Sequence, residues 1–243
     1  MHKPLLTILL VCIIFPVAFP QTVELTAPLA VLEFDQSFSL SEFQSEEQAL
    51  ELIDEIEKSA RKKYHPDTAY WLEKVFYFIH RKYLKTYKEY ASFSDLLSSG
   101  EYDCVTGTTL YAIVLERLGV PFKIIEYPYH TNLIVTLFDK EYMMEATDPQ
   151  YGFVGKLDEL QSRIKHYRIS NQSNSFHKII DAGKLEGLYY YNQAVRSYNT
   201  HSYYRASLML KKANALYACE RIQKLYYRLE VVAGEAFVQL SSY

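Results

Sequence analysis

Cysteine is scarce in this chain: three residues in 243. One of them, Cys12, lies in an apolar N-terminal run, which leaves Cys104 and Cys219 for the rest. Two cysteines cannot build a disulfide scaffold, although the pair can join in an oxidising compartment. No Cys or His pair has the close spacing of a structural zinc site, so neither a metal nor any other cofactor is expected. A charge excess is also lacking. The formal net charge is -3, which gives no basis for nucleic-acid or anionic-membrane binding. Long apolar runs are missing beyond the N-terminus. The run from Leu5 to Val17 follows the basic His2 and Lys3 and is too short for a comfortable membrane span. It reads as an export signal over residues 1–20, with an uncleaved anchor as the alternative, and places the protein in the periplasm or outside the cell. Val11 before Cys12 is not the small residue a lipoprotein signal needs. No integral membrane domain is expected beyond this segment.

What is present fits a globular protein: 49% hydrophobic and 23% charged residues. Tyrosine is abundant, at 23 residues. Most fall in helical patterns and read as packing residues whose hydroxyls stay wet. Residues 21–44 read as an extended N-terminal arm. Ser45 to Gln48 has the form of a capping box and opens an amphipathic helix to about Lys63, with Leu50, Ile53 and Ile56 on one face. A second helix, Thr68 to Tyr83, has a wide apolar surface around Trp71, Leu72, Val75, Phe76 and Ile79. Phe93 to Leu97 is a short helical turn. The third helix, Cys104 to Leu118, is apolar around most of its circumference and belongs inside a domain. Gly119 stops it and Pro121 prevents its resumption.

Strands follow: Phe122–Tyr127, Thr131–Phe138 and Glu141–Ala146, the last two joined through a tight turn at Asp139-Lys140. Two residues suffice only for an antiparallel connection. Helices return from Leu157 to Tyr167 and, after a polar linker at Ser170–Ser175, from Leu185 nearly to the end. Ala194, Ala206, Leu210 and Ala213 stand at the spacing of tetratricopeptide helix pairs, a pattern that plain helical packing also produces. The fold class is α+β: a buried helix on a small antiparallel sheet, then an α-helical tail. The boundaries are 45–169 for the first domain and 176–243 for the tail.

Three polar residues converge on one helix–strand–strand unit. Cys104 opens a helix, where partial positive charge favours a thiolate. His130 begins a strand, and Asp148 closes the next. Nucleophile, base and orienting acid are the three groups such chemistry needs. Glu145 competes with Asp148 as the orienter, but a place within the strand suits a surface or cross-strand role better. Taken alone, Cys104 is equally a small packing residue, His130 a surface histidine and Asp148-Pro149 a turn. Asp103 and Glu101 beside Cys104 oppose thiolate formation, unless Asp103 serves as the helix N-cap. His65, His80, His166, His177 and His201 have no partner pattern and read as solvent-facing.

The run Asp95-Leu96-Leu97, Asp103-Cys104-Val105-Thr106-Gly107-Thr108 and Leu115-Glu116-Arg117-Leu118-Gly119-Val120-Pro121 resembles the transglutaminase-like (papain-like) core. The likeness is to the branch in which that domain precedes tetratricopeptide-like helices. His130 matches the strand histidine of the core and Asp148-Pro149 its Asp-Pro. The resemblance implies an acyl-transfer site acting on peptide or protein amides, with Cys104 as nucleophile, His130 as general base and acid, and Asp148 as orienter. The backbone N–H of Cys104 is then one oxyanion donor. The rival reading is an inactive binding module that contacts a protein partner through its C-terminal helices.

Overall fold

The apolar circumference of the Cys104 helix decides the architecture, because it has to be covered on every side. In the computed structural model, which describes residues 47–63, 68–169 and 177–241, that helix is central. The expected export signal at 1–20, arm at 21–44 and capping box at Ser45 lie outside the described residues, as do His65 and the Ser170–Ser175 linker.

Two helices come first: α1 (Glu47–Lys63) and α2 (Ala69–Tyr83). Thr68 caps α2 by accepting from the Trp71 N–H, and the buried Trp71 indole donates to the Ala60 carbonyl of α1 at 3.1 Å. Next come β1 (Thr86–Tyr87), α3 (Phe93–Ser99) and β2 (Glu101–Tyr102), with β1 and β2 pairing in parallel. The Cys104 helix is α4 (Cys104–Leu118), and residues Val105 through Leu115 are all buried along it. Gly119 ends it at φ 71°, in the left-handed region that glycine tolerates.

The sheet is antiparallel and has five strands in the order β6-β5-β4-β3-β7: β3 (Phe122–Tyr127), β4 (His130–Leu137), β5 (Lys140–Met144), β6 (Phe153–Val154) and β7 (Lys178–Ile180). The sequence pattern foresaw only the middle three. β6 and β7 are two and three residues long, too short for an alternating pattern to register. The β4–β5 turn sits one residue earlier than expected, with Phe138 and Asp139 both at positive φ, the geometry that matches the twist of a two-residue hairpin.

Alternation divides the sheet between two apolar clusters. Ile124, Leu133, Val135 and Met144 join the large core around α4. Ile125, Tyr127, Ile134 and Met143 face the other way and meet Leu160 of α5 (Leu157–Ile169). The chain closes with α6 (Ala182–Asn199), α7 (Tyr203–Leu216) and α8 (Glu220–Ser241). Ala194, Ala206, Leu210 and Ala213 are fully buried, and α6 to α8 share one apolar cluster with α1 to α4. The protein is therefore α+β, as expected.

Two expectations about polar groups change. Tyr111 is buried and its hydroxyl donates to the Phe76 carbonyl at 3.0 Å, not to water. His80 is buried as well, 5% exposed, because it lies on the apolar face of α2. Its Nε2 is 2.9 Å from the Ala146 carbonyl, and burial lowers its pKa.

Gly107 sets how closely α4 approaches the end of the sheet. A Cβ there would fall 2.7 Å from the Ala146 Cβ and 3.2 Å from the Tyr102 ring. At an open helix position alanine gains about 1 kcal/mol over glycine. Here Gly107→Ala is expected to reverse that sign and destabilise by about 1–3 kcal/mol, the range for overpacking. Urea unfolding of the variant checks it.

Candidate active site

Cys104 is the first residue of α4, and the residue before it makes the cap. Asp103 Oδ1 accepts from the Thr106 N–H at 2.8 Å, while the Thr106 hydroxyl receives the Asp103 N–H at 2.9 Å. Both residues are buried. Asn192 of α6 donates to the remaining Asp103 oxygen at 2.9 Å. Burial pushes the Asp103 carboxyl above its usual pKa, and these hydrogen bonds oppose the rise. Glu101, the second acid near the thiol, is paired with Lys88. Cys104 is half-buried and, like Cys219, a free thiol.

His130 opens β4 and meets the start of α4. The next residue, Thr131, hydrogen-bonds through its hydroxyl to the Cys104 carbonyl at 3.3 Å. The Cys104 thiol is near enough to His130 to favour its protonated form. The His130 Nε2 donates to Glu145 Oε2 at 2.5 Å, which leaves Nδ1 outside that pairing. The side chain is 18% exposed, whereas that of Glu145 is 1% exposed.

Glu145 holds the orienting position. Its Oε2 also accepts from the Tyr167 hydroxyl at 2.9 Å and, more loosely, from Asn132 Nδ2 at 3.4 Å. Its Oε1 accepts from the Thr147 N–H at 3.0 Å and the Thr147 hydroxyl at 2.7 Å. Burial alone would push this carboxyl up. The His130 charge and the hydrogen bonds from His130 and Thr147 outweigh it, and the pKa is lowered. Burial likewise pushes His130 down, but the Glu145 charge, the nearby Cys104 and the Glu145 hydrogen bond raise it to about 10. The histidine is thus held as imidazolium at neutral pH. The Tyr167 ring stacks on it, with centroids 5.0 Å apart and planes at 18°.

Asp148 does not meet His130. Its Oδ1 accepts from the Gln150 and Tyr151 N–H groups at 3.2 and 2.8 Å, and its Oδ2 from Arg163 of α5 at 2.9 Å. It shapes the loop behind Glu145 instead. Strand parity explains the difference. Leu133 pairs with Met144, so continuing the register sets Glu145 opposite Asn132, on the face that His130 shares. Asp148 lies beyond the strand and out of phase.

Tyr167 and Thr147 carried no sequence signal, since each matters only through Glu145. Tyr87 of β1 lies within electrostatic reach of the thiol. Burial and the Cys104 and Asp103 charges push its phenol up to about 12, so it stays a donor. Among the described residues no group of three or more His, Cys, Asp or Glu side chains can hold a metal, and no helix is long and apolar enough to cross a membrane. Comparison with protein-family models, with curated proteins and with solved structures gives no match.

The ion pair has a pH signature. A histidine pKa raised from 6.5 to about 10 contributes stability that is complete below pH 6.5 and is lost as pH rises toward 10. Glu145→Gln is expected to flatten that alkaline loss and to bring the His130 titration back toward the ordinary histidine range, followed by imidazole NMR. Asp148→Asn leaves the His130 titration where it is.

Proposed function

We propose that this protein is a cysteine hydrolase or acyltransferase of transglutaminase-like type, acting on peptide or protein amides. The observation that carries the proposal is the His130 pairing with the buried Glu145 at the start of β4, which Thr131 ties to the Cys104 end of α4. On this reading the helix on its sheet is a papain-like core, α6 to α8 are tetratricopeptide-like, and the apolar N-terminal stretch directs export.

The chemistry starts from the His130 imidazolium. A thiolate facing an imidazolium is the reactive form of a cysteine nucleophile. The sulfur attacks the amide carbon, and the carbonyl oxygen gathers negative charge. The Cys104 N–H, at the open end of α4, is one donor for that oxygen, and the Tyr87 phenol is a candidate for the second. His130 passes its proton to the leaving nitrogen as the C–N bond breaks, which leaves an acyl-thioester. Water or an amine then attacks, His130 takes the incoming proton, and the thiolate is restored. Glu145 acts by orienting the ring and holding its charge; Asp148 has no part in this step.

Alkylation by iodoacetamide in a background lacking Cys12 and Cys219 tests the reading. Cys104 is expected to react at pH 6 faster than a free thiol does, and His130→Ala to slow it by about tenfold or more, since the imidazolium favours the reactive thiolate. Asp148→Asn leaves the rate unchanged. Should Cys104 behave as an ordinary thiol whose rate ignores His130, the enzymatic reading fails and the fold serves as a binding module.

A further inference from the structure

A cavity of about 560 Å³ lies between the β3–β4 turn, β7, α6, the connection from α7 to α8, and α8. That volume falls within the roughly 300–1,000 Å³ of ligand sites. Neither Cys104 nor His130 lines it, but its wall reaches the immediate neighbours of His130. Tyr127 forms part of its wall, and that ring lies 6.4 Å from the His130 ring at an interplanar angle of 25°. The turn at Pro128 and Tyr129, also in the wall, runs straight into His130. On the far side stand Tyr90, Tyr191 and Tyr198.

The charge lining this cavity is opposite in sign to that of the whole chain. Four cations, Lys178, Arg221, Lys224 and Arg228, face two carboxylates, Glu126 and Glu220, giving a local balance of 4 − 2 = +2 in a protein of net charge -3. Both carboxylates are already occupied. Glu126 is buried and holds Arg221 at 2.7 Å and the Tyr217 hydroxyl at 2.5 Å. Glu220 holds Lys224 at 2.7 Å. Lys178 and Arg228 are exposed and make no close ion pair among the described residues, although Lys178 lies within electrostatic reach of Glu220. Two exposed cations over a floor of tyrosines provide positive potential together with flat, amphipathic contact area.

We propose that this cavity binds an acidic peptide segment, so that carboxylates of the substrate engage Arg228 and Lys178 while its backbone passes Tyr127 toward Cys104. The inference rests on the acyl-transfer reading for its choice of a peptide. It adds the substrate class, which Cys104, His130 and Glu145 do not specify. Bound in this way, an acidic segment neutralises the local excess, and its orientation is fixed by charge at one end and by the reactive pair at the other.

Binding is measured on the full chain carrying Cys104→Ala, which removes turnover. Fluorescence anisotropy compares three labelled peptides of one length that differ only in Glu, Gln or Lys at alternate positions. The Glu peptide is expected to bind at least about tenfold more tightly than the Gln peptide at about 0.1 M salt, and to weaken as salt rises. Arg228→Glu combined with Lys178→Glu is expected to abolish the preference; both sites are exposed, and an unchanged unfolding transition shows that the variant is folded. Equal binding of the Glu and Gln peptides overturns the proposal, as does a preference that survives the double reversal. Displacement of the Glu peptide by inorganic phosphate, but not by chloride at equal ionic strength, also overturns it, since the site then takes a small anion. Because this assay needs no thiol, a negative result leaves the iodoacetamide result standing, and the converse holds.

Discussion

A single carboxylate governs the polar architecture of this protein. Glu145 is almost wholly removed from water, and such a charge is tolerable only where donors surround it. Its partners come from separate parts of the chain: His130 and Asn132 from β4, Thr147 from the loop after β5, and Tyr167 from α5. The requirement to satisfy one anion thereby fixes the register of β4 against β5, the course of the following loop and the seating of α5. Losing one member of a buried pair of this kind typically costs about 3–5 kcal/mol, because the other charge is stranded. The group that orients the histidine is therefore also a structural tie, and the two roles rest on the same contacts.

Around this anion the loop is over-determined. Gly152 returns the chain so that its carbonyl receives the Glu145 N–H at 2.8 Å, and its own N–H donates to the Asp148 carbonyl at 3.0 Å. Asp148 then holds Arg163, which fastens α5 over the loop. The acid that looked catalytic in the sequence instead braces the strand end bearing the acid that meets the histidine.

Much of this was legible in the sequence because the signals were local. The capping residue, the apolar circumference and the Gly119 stop delimited α4, and alternating Ile, Leu and Val residues marked β3 and β4. Cys104 and His130 were readable as a pair for the same reason. Glu145 was weighed and set second, because a place within the strand suggested a surface or cross-strand role; counting the register from the hairpin turn favours it. His80, Tyr167 and the short strands β6 and β7 left no such trace. Each is defined by residues distant in sequence, and a local pattern does not carry that information.

The clasp between Asp103 and Asn192 bears on the order in which the surroundings of the thiol are assembled. The strands β3 to β5 form a meander with short connections, and such contacts assemble early. The cap of the thiol-bearing helix is completed by an amide 89 residues downstream of it. During synthesis, which proceeds from the N-terminus, the sulfur is translated long before the helix that finishes its surroundings. A nascent chain therefore carries the thiol without the full cradle, and the cradle closes only when most of the polypeptide has emerged.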